Sequence, residues 1–215
     1  MSQYIYTDNS ILLNYQMQKR IQNIYYNLLI YSLQKHCRIF VMRMDVHLPQ
    51  EIVLQMISVF NHRFIEKEKN AGYDPFYLAV RELSTERKTH HHIALFLDGN
   101  RTEKPYQHFE NARIVLGNIT RQYGFGLGNI DECNNIRRNG IMLDRNMIYP
   151  LNLYEALRQV SYLAKIEQKD NVPGKTYFYS KIPIQELSND DITRNFQLLF
   201  PNLFLGGGIQ WYSNC

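Results

Sequence analysis

Cysteine is scarce in this sequence, and long apolar runs are missing from it. The three cysteines, Cys37, Cys133 and Cys215, are far apart and form no CxxC or CxH pair, so the sequence predicts neither a disulfide framework nor a thiolate zinc site. The first ten residues lack the basic start and apolar run of a signal peptide, and no apolar stretch approaches membrane-spanning length. We therefore expect a cytoplasmic protein in a reducing compartment, with no membrane partner.

Charge and composition narrow the class of protein further. The chain has 215 residues and a formal net charge of +4. This mild positive excess is compatible with a polyanionic partner but is far from the charge density of a histone-like protein. With 45% hydrophobic and 13% aromatic residues, the chain can bury a substantial core, so we expect a folded domain instead of a disordered chain.

Hydrophobic periodicity predicts an α+β protein. Apolar residues recur at helical spacing over residues 9–36, which we interpret as an N-terminal helical extension (residues 1–36) before a domain at residues 37–215. The predicted order in that domain is strand 37–46, helix 50–69, strand 76–83, a strand from Thr89, helix 105–123, a fourth strand after the glycine-rich residues 124–128, a short strand 139–143, helix 151–168 and a short helix 190–200. Because short loops join neighbouring strands antiparallel, a mostly antiparallel sheet flanked by helices is expected.

Three consecutive histidines lie at the start of the predicted third strand, in the sequence THHHIALFL. Alternation along a strand puts His90 and His92 on one face and His91 on the other. Glu82 ends the preceding strand, so the hairpin brings its carboxylate near the two imidazoles if their faces agree. Two imidazoles and a carboxylate suit Mg²⁺, Mn²⁺ or Zn²⁺ with positions left open for a substrate. Asp45 is an alternative ligand or a residue that hydrogen-bonds to a ligand, and histidines satisfied within a core are the structural alternative.

A second candidate pair lies on the predicted helix at residues 151–168. Tyr162 and Lys165 are three residues apart and are therefore neighbours on one helical face. A tyrosine nucleophile needs its negative charge stabilised, and a nearby cation offsets charge that develops at a phosphate. The spacing alone is weak evidence, because the chain has 16 tyrosines and most tyrosines are packing residues.

Together these motifs resemble those of the HUH endonucleases. HHHIALFL is similar to their His-hydrophobic-His motif, and YLAK at residues 162–165 is similar to their Tyr-x-x-Lys motif. The order of the two motifs, with RMDV and VREL before the histidines, resembles the rolling-circle replication proteins of filamentous phages and related prophages. The resemblance covers roughly residues 38–180. The middle residue of the motif departs from the family pattern because it is a histidine, and no second tyrosine follows Tyr162 at the i+4 position, which favours a one-tyrosine enzyme.

The resemblance implies a metal-dependent, HUH-type DNA endonuclease and ligase with a Rep-like sheet related to RNA-recognition domains. His90, His92 and Glu82 would hold Mg²⁺ or Mn²⁺. Tyr162, assisted by Lys165, would attack single-stranded origin DNA to give a 5′-phosphotyrosine and a 3′ hydroxyl that primes rolling-circle synthesis in a bacterial host cell. A host helicase and the replication machinery are the implied partners. Basic residues interleaved with Tyr177, Phe178 and Tyr179 would contact the DNA, and a solvated surface charge is the structural alternative for each of them. These residues are Arg81, Lys88, Arg137, Arg138 and Lys175.

Two other classes of function remain open at this point. One is a nucleic-acid-binding module without catalysis, because helices flanking an antiparallel sheet also describe RNA-recognition-type domains. The other is a metal-dependent hydrolase in which a metal-bound water replaces Tyr162 as the nucleophile.

Overall fold

A computed structural model describes residues 18–48, 54–83, 89–124, 128–132, 139–147, 150–164 and 174–201 of the chain. These segments contain five helices and six strands, and all of them except the last strand, at residues 177–179, occur in the order that the sequence predicts. The helices are α1 (Lys19–Lys35), α2 (Leu54–Asn70), α3 (Tyr106–Tyr123), α4 (Pro150–Ala164) and α5 (Asn189–Leu199), and the strands are β1 (Arg38–His47), β2 (Phe76–Leu83), β3 (Thr89–Asp98), β4 (Asn129–Glu132), β5 (Ile141–Asp144) and β6 (Tyr177–Tyr179).

All strand pairs in the described segments are antiparallel and belong to one sheet. The order across the sheet is β4-β1-β3-β2-β6, and β5 pairs with β1 on the same edge as β4. The elements β1, α2, β2, β3, α3 and β4 follow the β-α-β-β-α-β order of ferredoxin-like domains. The protein is therefore an α+β fold with an antiparallel sheet flanked by helices, which confirms the predicted fold class.

The sheet has two apolar faces, and each is covered by different helices. On the α1 face, which carries Ile39, Val41, Leu78, Val80 and Ala94, the strands pack against α1, α4 and α5. On the α2 face, which carries Met42, Met44, Ala79, Ile93 and Leu95, they pack against α2 and α3. Both faces are buried because consecutive apolar residues of a central strand point alternately to opposite sides.

Helix α1 is packed into the core through one continuous side. Tyr25, Leu28 and Leu29 are fully buried in the cluster that covers the α1 face, and the Tyr25 hydroxyl donates a 2.6 Å hydrogen bond to the Ala156 carbonyl of α4. Burial raises the pKa of the Tyr25 phenol above its usual range. The boundary predicted between residues 36 and 37 falls between α1 and β1, and the division into an extension and a domain stays a prediction.

The N-terminal helix begins later than its periodicity suggests. Gln18 is extended, with φ −76° and ψ 104°, so the predicted helix from residue 9 is wrong at this position. Its backbone N–H donates to the Ala164 carbonyl at 2.7 Å, a contact with α4 that a helical Gln18 would not make. Residues 9–17, like residues 50–53 and 165–168 of the other predicted helices, lie outside the described residues. Of the helices in the described part of the chain, none is long and apolar enough to cross a membrane.

Candidate active site

The register of the sheet places the predicted metal ligands on the α1 face. His92 pairs with Asp45 of β1 on one side and with Val80 of β2 on the other, while His90 pairs with Glu82. Residues that face each other across a sheet project to the same side, so these positions share a face. His91 pairs with Arg81 and lies on the α2 face, as alternation along the strand predicts.

The His92 ring lies between two carboxylates. Its Nδ1 is 2.6 Å from Oδ1 of Asp45, and its Nε2 is 2.9 Å from Oε2 of Glu82. His92 is 4% exposed and Glu82 is 2% exposed, so the pair is held almost out of water. Hydrogen bonds at both ring nitrogens fix the orientation of the imidazole.

Glu82 and Asp45 lie at opposite nitrogens of the His92 ring, so a metal ion bound at one nitrogen would contact only one of the two carboxylates. Two ligands about 2.1 Å from one ion, at right angles, lie about 3 Å apart, and Glu82 and Nε2 of His92 have nearly that separation. Asp45 contacts the opposite ring nitrogen, which is where a carboxylate orients a metal-binding histidine. Among the described side chains, no three His, Cys, Asp or Glu residues are placed to hold one metal ion; the side chain of His90 lies outside the described residues.

Arg43 completes the cluster and was missed by the sequence analysis. It is 1% exposed, its Nη2 lies 2.7 Å from Nδ1 of His92, and its Nε lies 3.4 Å from Oδ1 of Asp45. A buried guanidinium requires such partners, because an unpaired buried charge is strongly destabilising. The missed signal was present in RIFVMRMDV: Arg43 is two residues before Asp45 in an apolar strand, so the two charges share a face.

The backbone of Arg43 is fixed by a side-chain amide. Arg43 lies between the part of β1 that pairs with β5 and the part that pairs with β4. Asn139 donates from Nδ2 to the Arg43 carbonyl at 2.7 Å and accepts from the Arg43 N–H at 3.2 Å. The amide therefore replaces the backbone hydrogen bonds of a strand neighbour at this position.

His92 Nδ1 has two competing partners. It can donate to Asp45 when it carries a proton, or accept from Arg43 when it does not, but it cannot do both at once. A metal ion on Nε2 requires the proton on Nδ1, so metal binding would select the hydrogen bond to Asp45.

Helix α4 carries Tyr162 to this cluster. Buried Leu153, Ala156 and Leu157 dock α4 on the core, and Tyr162 lies in the last turn of this helix. The Tyr162 ring contacts the His92 ring edge-on, with centroids 6.0 Å apart at 90°. Cζ of Arg43 lies 4.3 Å from the Tyr162 ring centroid, within the range of a cation–π interaction. Lys165, the other half of the predicted pair, lies outside the described residues.

One turn before Tyr162, Gln159 has an unusual environment. It is 2% exposed, and neither its Oε1 nor its Nε2 has a hydrogen-bond partner among the described residues. A buried polar group in this condition destabilises the fold by about 1–3 kcal/mol. Because residues three apart are neighbours on a helix, the unsatisfied amide lies beside the candidate nucleophile.

The predicted DNA contacts lie in different environments. Arg81 is 6% exposed, burial lowers the pKa of its guanidinium, and its Nη1 donates to the Lys175 carbonyl at 3.0 Å. Arg81 thus holds the segment that leads into β6, and its DNA contact stays a prediction that this burial disfavours. Lys175 is exposed, with its Nζ 4.8 Å from the Phe178 ring centroid. The other predicted contacts, Lys88, Arg137 and Arg138, lie outside the described residues.

Comparison of the chain with family models, with curated proteins and with solved structures finds no match. The arrangement of side chains on the α1 face is therefore the basis for any statement about function.

Proposed function

We propose that the protein nicks and rejoins single-stranded DNA through a covalent bond to Tyr162. The observation that carries this proposal is the convergence of Tyr162, Arg43 and His92 at one partly open point of an otherwise buried face. A buried charged cluster in contact with a half-buried tyrosine favours a catalytic site over a noncatalytic module, because such a cluster gives little net stability relative to apolar side chains of the same size.

The chemistry of the step follows from the positions of the side chains. The Tyr162 hydroxyl gives its proton to solvent water, and its oxygen forms a bond to phosphorus while the bond from phosphorus to the 3′ oxygen breaks. The phosphate stays on Tyr162 as a 5′-phosphotyrosine, and the leaving 3′ oxygen takes a proton from water to become a 3′ hydroxyl. The Arg43 guanidinium stabilises the negative charge that develops as the phenol loses its proton. Reversal by an incoming 3′ hydroxyl rejoins the strand and restores the tyrosine.

His92 and Glu82, with His90, are the residues that would hold Mg²⁺ or Mn²⁺. A bound ion would supply Lewis-acid polarisation of the phosphodiester. Asp45 would keep the His92 ring in the orientation and tautomer that this requires. In a bacterial host the free 3′ hydroxyl would prime rolling-circle replication together with a host helicase and replication machinery.

The test is formation of a covalent adduct. The protein is incubated with labelled single-stranded oligonucleotides that carry candidate origin hairpins, with Mn²⁺, and the products are separated on a denaturing gel. We expect a labelled band at the mass of the protein plus the 3′ portion of the oligonucleotide, which depends on Mn²⁺ and is lost in Tyr162→Phe. Metal-dependent cleavage without an adduct, unchanged in Tyr162→Phe, would replace this proposal with hydrolysis by a metal-bound water.

A further inference from the structure

The N-terminal helix borders an open groove that the proposed reaction does not explain. The groove has a volume of about 710 Å³ and is lined by Lys19, Arg20 and Asn23 of α1, by Tyr179 of β6 and by Glu186 and Leu187 of the following segment. We call it the α1–β6 groove. Its volume is that of a site for a small organic ligand or a few nucleotide units.

Two backbone contacts place the groove near the candidate active site. The Gln18 N–H donates to the Ala164 carbonyl at 2.7 Å, so the first turn of α1, with Lys19 and Arg20, adjoins the last turn of α4, with Tyr162. Across the sheet, Val80 pairs with His92 on one side and with Tyr177 on the other. Neighbouring strands are about 4.8 Å apart, so the backbone of Tyr177 is roughly 10 Å from that of His92 on the same face.

The surface between these points combines aromatic rings with positive charge. Tyr177 and Tyr179 are stacked on the α1 face, with centroids 6.2 Å apart at 27°. Cζ of Arg20 lies 5.8 Å from the Tyr177 ring centroid, and Lys19 and Arg20 are both exposed. Stacked aromatic rings next to exposed basic side chains are the features with which proteins bind unpaired bases and their phosphates.

The walls of the groove are held together by hydrogen bonds from two asparagine side chains of α1. Asn23 donates from Nδ2 to the Gln185 carbonyl at 2.7 Å and accepts from the Leu187 N–H at 3.0 Å. Asn27 donates from Nδ2 to the Gln185 carbonyl at 2.9 Å and accepts from the Gln185 N–H at 3.0 Å. These four hydrogen bonds clamp the segment after β6 onto α1, so a ligand enters a preformed site and loses little free energy to ordering it.

We propose that the α1–β6 groove binds the segment of single-stranded DNA adjacent to the scissile phosphodiester, with bases stacked on the tyrosine pair and phosphates near Lys19 and Arg20. The inference rests on the proposed function and adds to it the path of the strand and a role for the N-terminal helix. Single strands fit this surface better than duplex DNA, because the faces of paired bases are covered by their neighbours and cannot stack on tyrosine. Glu186, the acidic residue of the groove, can accept a hydrogen bond from the amino group of a cytosine.

The test measures binding separately from cleavage. In a Tyr162→Phe background, the affinity for a fluorescent single-stranded oligonucleotide is followed by anisotropy over a range of salt concentrations. We expect Tyr179→Ala to weaken binding about tenfold and Tyr179→Phe to preserve it, because stacking needs the ring and not the hydroxyl. Arg20→Ala should reduce the slope of log affinity against log salt by about 1.

Matched controls come from the opposite side of the molecule. Arg63 of α2 and Tyr106 of α3 are exposed and belong to the helices of the α2 face, so Arg63→Ala and Tyr106→Ala should bind DNA like the parent. Equal binding by the parent, Arg20→Ala and Tyr179→Ala would overturn the groove assignment even if Tyr162 forms its adduct. Tighter binding of RNA or duplex DNA than of single-stranded DNA would overturn the choice of ligand. Binding of DNA that depends on Arg20 and Tyr179, without formation of an adduct, would contradict the proposed reaction and support the assignment of the groove as a DNA-binding site.

Discussion

Two buried histidine–carboxylate clusters lie on opposite sides of the sheet, and they differ in how completely their polar atoms are satisfied. Behind the α2 face, His108 and Glu68 are both fully buried. His108 Nδ1 is 2.6 Å from Glu68 Oε2, Asn111 donates to Glu68 Oε1 at 2.9 Å, and His108 Nε2 is 2.8 Å from the Thr102 hydroxyl. Each polar atom of the imidazole and of the carboxylate has one compatible partner.

The cluster on the α1 face lacks this completeness. His92 Nδ1 faces a donor and an acceptor at once, Arg43 Nε makes no hydrogen bond in the described part of the chain, and the Gln159 amide is unsatisfied. A network whose members are all satisfied stabilises a fold, whereas unmet hydrogen-bonding capacity next to a tyrosine is typical of a site that receives a ligand. The satisfied contacts of His108 are those of a structural residue, and His92 is the histidine on which the proposed function depends.

The largest effect is expected when the satisfied cluster is broken. Glu68→Ala leaves the His108 imidazole and the Asn111 amide buried without their shared acceptor, so the free energy of unfolding should fall by about 3–5 kcal/mol. Chemical denaturation monitored by circular dichroism gives this value. Retention of parental stability would mean that the α2-side cluster is not a structural one.

The matched change on the α1 face should act on metal binding instead. Glu82→Gln keeps the shape of the side chain and removes its charge, so Mn²⁺ affinity measured by calorimetry should fall about 100-fold, or roughly 2.7 kcal/mol. The stability of the fold should change by no more than about 1 kcal/mol. Glu103→Gln, at an exposed position before α3, is the control that should leave Mn²⁺ binding unchanged. Equal Mn²⁺ affinity in Glu82→Gln and the parent would remove Glu82 from the metal site.

Two buried amide side chains should have opposite effects on stability when they are replaced. Gln159 is next to the cluster on the α1 face, and Asn111 belongs to the cluster behind the α2 face. Gln159→Met replaces an unsatisfied amide with an apolar side chain of similar shape, so stability should rise by about 1–2 kcal/mol while adduct formation falls. Asn111→Leu removes a satisfied donor and should lower stability by a similar amount. Thermal denaturation of both variants measures the sign of each change. Loss of stability in both would show that Gln159 has a structural partner.

A third histidine–carboxylate pair lies at the surface, and its loss should change the stability of the fold less than changes in the two buried clusters. His36 Nε2 and Lys35 Nζ each lie 2.6 Å from Oδ2 of Asp74. Burial opposes ionisation of Asp74, but the hydrogen bonds from Lys35 and His36 outweigh it and lower the pKa of the carboxyl below its usual range. A lowered folded-state pKa contributes stability above the unfolded value, and this contribution is lost as the pH falls through the folded value.

Asp74→Asn should therefore lower the free energy of unfolding at pH 7 by at most about 0.5 kcal/mol, because the site is open to solvent. Denaturation at a series of pH values should show the difference between parent and variant shrinking below about pH 4. A difference that persists or grows toward pH 2 would contradict the assigned pKa shift.

The sequence predicted those parts of the fold that depend on local pattern. Alternation in THHHIALFL gave the faces of His90, His91 and His92, and the short loop after Glu82 gave the hairpin that the register confirms. These predictions succeeded because period-2 alternation and turn length are encoded within a few residues.

Parts that depend on distant segments were not predictable in the same way. The β6 strand is three residues long and pairs with β2 almost 100 residues earlier, and the contact of His108 with Glu68 joins α3 to α2 without any local signal. The place of Arg43 in the cluster could have been predicted from the sequence, because a charged residue in an apolar strand needs a buried partner. The unsatisfied state of Gln159 depends on the packing of α4 and is invisible in the sequence.

The most direct test of the central claim is to identify the residue that carries DNA after the reaction. The protein is incubated with a single-stranded origin oligonucleotide and Mn²⁺, digested with a protease, and the nucleotide-bearing peptide is sequenced by tandem mass spectrometry. We predict a 5′-phosphate ester on Tyr162 alone, absent from Tyr162→Phe. An ester on another residue, or cleavage of the oligonucleotide with no modified peptide, would contradict the assignment of Tyr162 as the nucleophile.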